Sequence, residues 1–256
     1  TLTHSGAGEL ELSTNDIEVT SLTQSGAGDF DTMGLNITAN GLSVTAGSFN
    51  NDKRDAGTWD IDTGGVSVSA GATLKVPATT TTVAGNWTVD AAGIFRNNSG
   101  TMEFDGDAKQ TLTSGGTGSD HNFTDLTHSG AGELELSTDN LEVSGTLTQS
   151  GAGDFDAMGL DMTAAGLVVS GGTFNNDGRD AGTWDIDTGG VSVSAGATLK
   201  VPATTTTVAG DWTVNATGVF RNNSGTMTFD GAAKQTLTSG GTDGTHNFQN
   251  LIHSGA

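Results

Sequence analysis

The sequence has 256 residues, no cysteine and only two prolines. The missing cysteines exclude disulfide bonds and thiol chemistry. No apolar run approaches the roughly 18 residues of a membrane span, and no signal-peptide pattern opens the chain. Only 33% of the residues are hydrophobic, so they cannot fill a broad globular core. A narrow, elongated core is therefore expected.

Basic residues are also scarce. The chain has nine Lys and Arg and thirty Asp and Glu, which gives a formal net charge of −21. Nucleic acid and anionic lipid both require a basic surface, so we expect neither nucleic-acid binding nor electrostatic docking on anionic lipid. The lack of a long apolar run argues against membrane insertion. Divalent cations or cationic surfaces fit this charge better.

The chain is rich in glycine, with forty residues, and in Thr, Ser and Asn. This composition is typical of many short strands joined by tight turns, and it predicts almost no helix. Corners such as Ser5 to Gly8, Thr63 to Gly65 and Ser114 to Gly116 are expected to use glycine for backbone angles that other residues avoid.

A long internal repeat organises the sequence. The stretch from Leu2 to Leu126 recurs 124 or 125 positions later, and residues 54–85 reappear unchanged as 179–210. We therefore predict two repeat units, 1–125 and 126–250, with 251–256 as the start of a third; the chain reads as a window of a longer array. A catalytic pocket is normally a single asymmetric place, so exact duplication argues against an enzyme. We assign no catalytic, cofactor-binding or metal-binding residue.

A shorter period lies inside each repeat. Phrases of 17 to 24 residues open with an apolar residue at Leu2, Leu22, Leu42, Val66, Val83 and Met102, then at Leu126, Leu147, Leu167, Val191, Val208, Met227 and Leu251. Each phrase is long enough for about three short strands. The sequence thus predicts an all-β fold, a right-handed parallel β-helix (β-solenoid), with about six coils of about 21 residues per repeat of about 125 residues. Twelve such coils would form a rod about 58 Å long.

Alternation within the phrases separates inward from outward side chains. In Glu9-Leu10-Glu11-Leu12 the leucines point inward, because successive strand residues face opposite ways. The predicted core comprises Leu10, Leu12, Ile17, Val19, Phe30, Leu35, Ile37, Phe49, Trp59, Ile61, Val66, Val68, Leu74, Val76, Trp87, Val89, Phe95, Phe104, Leu112 and second-copy equivalents such as Phe155, Trp184, Trp212 and Phe220.

Polar residues repeat as well. Asparagine pairs follow phenylalanine in each repeat, as in Phe49-Asn50-Asn51, and are expected to stack into ladders at turns. The five histidines, His4, His121, His128, His246 and His253, recur at equivalent positions. We interpret them as periodic surface or turn residues rather than general bases.

The phrases GTMTFDGAAKQTLTSGG and HNFQNLIHSGA, interleaved with TVAGNWTVDAAGIFRNNSG, resemble the repeats of large exported bacterial surface proteins. These are the filamentous-haemagglutinin-like and autotransporter-like β-solenoid adhesins. The resemblance covers the whole chain and rests on repeat texture. It implies a stalk, adhesin or matrix fibre that is extracellular or on the cell surface, and it carries over no individual functional residue.

One acidic cluster is a candidate for binding Ca²⁺. Glu9 and Glu11 should stack about one coil from Asp29 and Asp31, and the equivalents in the second copy are Glu133, Glu135, Asp154 and Asp156. Calcium would relieve the repulsion between such carboxylates. The alternative is a solvated acidic face that keeps a long fibre soluble.

Three function classes remain open. The first is a structural or adhesive rod that binds surface glycans or matrix and associates with itself through the solenoid ends. The second is a repeated-face binder of sugar or ice, although the threonines cluster at 79–82 and 204–207. The third is a polysaccharide-degrading enzyme, for which Asp60 with Arg54, repeated as Asp185 with Arg179, is the nearest approximation.

Overall fold

The computed structural model describes residues 1–51, 56–176 and 181–255, and these residues form an all-β parallel solenoid of about twelve coils. No helix occurs among them. The strands are, in chain order, β1 Leu2–His4, β2 Leu10–Glu11, β3 Ile17–Val19, β4 Leu22–Gln24, β5 Asp29–Asp31, β6 Ile37–Val44, β7 Ser48–Asn50, β8 Trp59–Val68, β9 Thr73–Lys75, β10 Thr80–Val83, β11 Trp87–Val89, β12 Ile94–Arg96, β13 Thr101–Phe104, β14 Gln110–Thr113, β15 Asp125–His128, β16 Leu134–Leu136, β17 Leu141–Gln149, β18 Asp154–Asp156, β19 Met162–Val169, β20 Thr173–Asn175, β21 Trp184–Val193, β22 Thr198–Lys200, β23 Thr205–Val208, β24 Trp212–Val214, β25 Val219–Arg221, β26 Thr226–Phe229, β27 Leu237–Thr238 and β28 Asn250–His253. The predicted parallel β-solenoid is confirmed.

Each coil presents three faces. In the first coil, β1 lies on face 1, β2 on face 2 and β3 on face 3, and the next coil hydrogen-bonds to each of them in parallel. Longer strands turn a corner and serve two faces. In β6, Ile37 pairs with Ile17 on face 3, whereas Leu42 pairs with Leu22 on face 1.

The register on face 1 agrees with the predicted phrases at first and then departs from them. Leu2, Leu22, Leu42 and Val66 stack in one column as expected. Val66, however, pairs with Trp87, not with Val83. The 17-residue step from Val66 to Val83 is too short for a coil, so Val83 lies on face 3.

The repeat contains about six coils, but not a whole number of them. Leu126 stacks on Met102 in the face 3 column that begins at Ile17, not in the face 1 column of its equivalent Leu2. From Leu2 to Leu126 the chain advances by seventeen faces, and since each coil has three faces, this is five and two-thirds coils. The face 3 column advances by 22 residues per coil on average from Ile17 to Leu237, and 124 residues are not a whole number of such coils.

Equivalent surfaces of the two repeats consequently lie on different faces. Leu10 is on face 2, and its equivalent Leu134 is on face 1, where it stacks on Gln110. Ile17 is on face 3, and its equivalent Leu141 lies on face 2, in the column that Phe123 shares with Val143. Each repeat thus turns its surface by one third of a turn relative to the previous repeat.

The core is a narrow column of inward side chains. Most of the predicted core is buried, but Leu10, Leu12, Ile17, Val19 and Leu35 are only partly buried. The first four belong to the first coil, which has a neighbouring coil on one side only. Aromatic rings stack along the axis, with 4.8 Å between the centroids of Phe30 and Phe49. The same contact recurs between Phe155 and Phe174 at 4.5 Å.

Two different constraints select glycine at the corners. A Cβ on Gly28 would lie 2.0 Å from the carbonyl oxygen of Gly8, and a Cβ on Gly153 would lie 1.8 Å from that of Gly132. The neighbouring coil therefore excludes any side chain there. The strained backbone angles expected from the sequence are confirmed at two of the predicted corners, at Gly65 and Gly115 with φ of 66° and 86°, whereas neither Gly6 nor Gly8 has a positive φ.

Candidate functional site

The predicted acidic cluster forms in the first two coils. Glu11 pairs with Asp31 in register, as expected. Carboxylate oxygens of Glu9, Glu11 and Asp31 all lie within 4.8 Å of one another. The Asp31 carboxylate is buried and accepts a 2.8 Å hydrogen bond from the backbone N–H of Met33. Asp29 pairs with Ser48 and is not part of this group.

In the second repeat, a lysine bridges the equivalent carboxylates. The Lys109 Nζ lies 3.2 Å from the Glu133 carboxylate and also contacts that of Glu135. A hydrogen bond to Glu135 is the largest cause that raises the pKa of Lys109, and a hydrogen bond to Glu133 raises it further. A lysine of the preceding coil thus supplies the positive charge for which the sequence suggested calcium. The signal was the Lys-Gln-Thr-Leu segment at 109–112, about one coil before Glu133 and Glu135.

A second acidic surface alternates carboxylates with threonines. On face 3 its outward column is Glu18, Thr38, Asp60, Thr82 and Glu103. The Thr82 hydroxyl donates to Asp60 at 3.0 Å. In the second repeat the same surface lies on face 2, where the Thr207 hydroxyl donates to Asp185 at 2.5 Å.

Burial and neighbouring like charges both act on Asp105, a carboxylate beside this surface. Burial is the largest cause that raises the pKa of Asp105, and the charges of Glu103, Asp60 and Asp62 raise it further. Shallow depressions accompany the carboxylates. One of about 390 Å³ is bordered by Asp185, and one of about 570 Å³ by Asp62.

Of the proposed Asp–Arg pairs, only the aspartates lie within the described residues. Asp60 and Asp185 are outward residues of the acidic surface, and each accepts a threonine hydroxyl. Arg54 and Arg179 lie outside the described residues. Asp60 is on face 3 and Asp185 on face 2, so the two copies point in different directions.

Each repeat carries one column of outward residues that are nearly all Ser or Thr, and sequence reasoning missed both columns. On face 1 the outward residues of six successive coils are Thr3, Thr23, Ser43, Ser67, Thr88 and Thr113. In the second repeat the column lies on face 3 and reads Thr127, Thr148, Val168, Ser192, Thr213 and Thr238. The Ser67 hydroxyl donates to that of Ser43 at 3.1 Å. We refer to each of these two columns as the hydroxyl column of its repeat.

The threonine clusters that suggested an ice-binding face have another arrangement. Thr81 and Thr206 point inward and are buried, whereas Thr80 and Thr82 on either side of Thr81 point outward. Strand alternation thus divides each cluster between core and surface.

Histidine placement differs from the prediction. His128 is fully buried, not a surface residue, and its Nδ1 lies 2.6 Å from the Gln149 Oε1. The Gln149 Nε2 donates to the carbonyl oxygens of Gly151 and Gly153 at the next corner. Burial is the largest cause that shifts the pKa of His128, and it lowers it. His4, which is partly buried, makes the equivalent 2.8 Å contact with Gln24, so this polar pair recurs in each repeat.

The asparagines do not stack on one another. Asn51 and Asn97 are two coils apart at one corner, and the coil between them places Val76 there. The Asn51 amide accepts 2.6 Å hydrogen bonds from the Thr32 hydroxyl and the Gly34 N–H, and it donates to the Ala56 carbonyl. Each asparagine therefore meets its own local environment instead of forming a ladder.

Comparison with known proteins identified no matching family model, no matching curated protein and no matching solved structure. The resemblance to exported adhesin repeats therefore stays a prediction. Within the described residues, no helix has the length and apolar character needed to cross a membrane.

Proposed function

We propose that the chain is a segment of a structural or adhesive rod, part of a longer bacterial surface fibre, stalk or matrix filament that is extracellular or on the cell surface. The observation that carries this proposal is the unbroken column of buried side chains from Leu22 to Phe229. Every interior coil covers the apolar residues of its neighbours, so added repeats extend the molecule along one axis only. Repetition in such a fold increases length and leaves the cross-section unchanged.

Surface properties support a non-enzymatic role. The acidic surface and the hydroxyl column each occur once per repeat, on faces that differ by a third of a turn. An enzyme needs converging groups in one place, whereas a rod that contacts glycans or matrix profits from many weak and equivalent contacts. A net charge of −21 keeps such a rod soluble and directs it away from nucleic acid.

Solution scattering and localisation together test this proposal. For the 256-residue chain of about twelve coils we expect the small-angle scattering of a rigid rod about 58 Å long. Antibodies against the chain should label the surface of intact native cells, and external protease should remove the label. Scattering from a compact sphere would contradict the rod, and label found only after lysis would contradict the localisation.

The hydroxyl column favours a second candidate, a repeated-face binder of sugar or ice. Its hydroxyls recur at a spacing of about 4.8 Å over six coils, a regularity suited to a polymer or lattice. Two lysines, Ser43→Lys and Ser67→Lys, should abolish binding to insoluble polysaccharide or inhibition of ice recrystallisation. Thr38→Lys, on the acidic surface, should leave either activity intact. If the unmodified chain shows neither activity, this candidate is wrong.

A further inference from the structure

The sequence contains a single Asn-Gly pair, Asn40–Gly41, and the asparagine is exposed at a corner of an inner coil. There β6 passes from face 3 to face 1, and its register with β8 shifts between Ala39 and Gly41. The equivalent of Asn40 in the second repeat is Ala165. We propose that Asn40 is a site of spontaneous modification, at which the side-chain amide converts through a cyclic succinimide into aspartate and isoaspartate.

The reaction needs only these two residues and water. The backbone nitrogen of Gly41 gives its proton to water and attacks the side-chain Cγ of Asn40, so that a new N–C bond closes the ring. The bond from Cγ to Nδ2 then breaks, and Nδ2 takes up a proton and leaves as ammonia. Water finally adds to one of the two ring carbonyls. Opening at one carbonyl yields aspartate, and opening at the other yields isoaspartate, in which the backbone runs through the former side chain.

Glycine leaves the attacking nitrogen accessible. Gly41 has no Cβ beside its nitrogen and limits the backbone rotation that ring closure requires less than any other residue. Asn36, in contrast, precedes Ile37, whose branched Cβ crowds the same nitrogen. Asn40 therefore has the reactive neighbour that Asn36 lacks.

Two donors of the next coil hold the carbonyl that reacts. The Asn40 Oδ1 accepts a 3.1 Å hydrogen bond from the Thr63 hydroxyl and a 3.2 Å hydrogen bond from the Gly64 N–H. Negative charge develops on this oxygen when the nitrogen attacks Cγ, and donors aimed at such an oxygen stabilise the charge. The neighbouring coil thus favours the attack.

The corners of the solenoid also accept the product. The Asn86 Oδ1 accepts a 2.8 Å hydrogen bond from the Thr111 N–H. In the second repeat an aspartate stands at the equivalent position, and the Asp211 Oδ1 accepts a 2.7 Å hydrogen bond from the Thr236 N–H. A carboxylate thus replaces an amide without loss of the bond between coils. An aspartate at position 40 would keep its two acceptor bonds in the same way.

The conversion changes both the charge and the backbone of this corner. Asn40, Glu18 and Asp62 border the same depression of about 570 Å³. A carboxylate at position 40 adds another negative charge to that border, where like charges repel. Isoaspartate also inserts a carbon atom into the backbone where β6 changes face, which loosens the pairing with β8. Ala165 cannot react, so the change is confined to the first repeat.

Peptide mapping by mass spectrometry tests the site. The folded chain is incubated at mildly alkaline pH, and Asn36 serves as the internal control because its Oδ1 also accepts a bond from the next coil. We expect Asn40 to convert at least about tenfold faster than Asn36, with isoaspartate among the products. Equal rates at the two residues would overturn the proposal. Aspartate without isoaspartate would show direct hydrolysis and would overturn the succinimide route.

Two matched glycine variants test the role of the attacking nitrogen. Gly41→Ala places a Cβ 3.3 Å from the backbone of Gly64, and Gly166→Ala makes a similar 3.4 Å contact in the second repeat. Gly41→Ala should slow the conversion of Asn40 by about tenfold, whereas Gly166→Ala should leave it unchanged. Circular dichroism checks that both variants fold. Equal rates in the two variants would overturn the attack by the Gly41 nitrogen.

A reverse substitution tests whether the corner supports the reaction. Ala165→Asn creates an Asn-Gly pair in the second repeat, beside Thr188 and Gly189, the equivalents of the two donors. This new asparagine should convert at a rate within about threefold of Asn40. An unreactive Asn at position 165 in the folded variant would overturn the contribution of the corner.

Discussion

Asn97 occupies a buried position where its amide has no hydrogen-bond partner. Both its Oδ1 and its Nδ2 are buried and unpaired, and the coil below places Val76 at the same corner. An unpaired buried amide costs free energy that an apolar side chain would not. The repeat contains the same arrangement at Asn222.

Asn97→Val should therefore stabilise the protein by about 1 kcal/mol. Asn51→Val is the matched control, since the Asn51 amide bonds Thr32, Gly34 and Ala56. We expect that change to destabilise by about 2 kcal/mol because it leaves the buried Thr32 hydroxyl and the Gly34 N–H without their acceptor. Urea unfolding of both variants measures the two free energies, and a loss of stability in Asn97→Val would show that its amide has a partner.

His128 should make stability depend on pH. Burial holds its pKa below the ordinary value, although the contact with Gln149 opposes that shift. The unfolded chain then binds a proton that the folded chain does not, in the window from about pH 6.5 down to the lowered pKa. Stability contributed by the neutral imidazole is present above that window and is lost as the pH falls through it.

Thermal melting between pH 7.5 and pH 5 measures this effect. His128→Gln keeps a polar side chain at the position and removes the titrating group, so its melting temperature should fall less steeply as the pH is lowered. Carboxylates titrate equally in both proteins, and the difference between the two curves isolates His128. Superimposable pH profiles of the two proteins would contradict this account.

At the scale of the strand and the corner, the spacing between coils decides which residues are allowed. The side-chain amides of the buried Gln24 and Gln149 donate hydrogen bonds to carbonyl oxygens at the corners. The glycines let successive corners approach closely. The sequence showed where these corners lie. The reason for glycine there is a neighbouring coil, which no single phrase contains.

Gly153→Ala should destabilise the protein by about 2–3 kcal/mol, because its Cβ would lie 1.8 Å from the Gly132 carbonyl oxygen. Gly8→Ala is the matched control at the equivalent kind of corner in the first coil. A Cβ there meets nothing within 4 Å, so its effect should stay within about 0.5 kcal/mol. Chemical denaturation compares the two variants, and equal losses would mean that coil contact does not explain the corner glycines.

At the scale of the whole molecule, the sequence repeat does not span a whole number of coils, and this mismatch decides how surface features are distributed around the solenoid. Because seventeen faces separate equivalent residues, the acidic surface and the hydroxyl column move to another face in each repeat. A long array of such repeats would present every surface in three directions, and the same direction would return only after three repeats. Side-by-side bundling through one face is thereby disfavoured, whereas contacts all around the rod are favoured.

Engineered disulfides test this coil register. The chain has no cysteine, so a pair of introduced cysteines reports on one contact. Ser67→Cys with Thr88→Cys should cross-link on mild oxidation, since these outward residues pair on neighbouring coils. Ser67→Cys with Ala84→Cys should not, although a six-coil repeat would place those two residues together. The reverse pattern of cross-linking, read as a gel shift, would restore the six-coil period.

The sequence by itself determined the all-β solenoid, the inward column of Leu, Val, Phe and Trp, and the stacking of Glu11 on Asp31. These features depend on strand alternation and on local periodicity, which a single phrase already carries. The sequence could not place Val83, because phrase lengths vary and an apolar residue opens a phrase on every face.

Only the tertiary structure decided the five and two-thirds coils per repeat, the buried His128 and the lysine that bridges Glu133 and Glu135. Each of these depends on which residue of another coil lies above or below, a contact between residues about 22 positions apart. The register that selects those contacts is a property of the whole stack, since every coil takes its position from the coil beneath it.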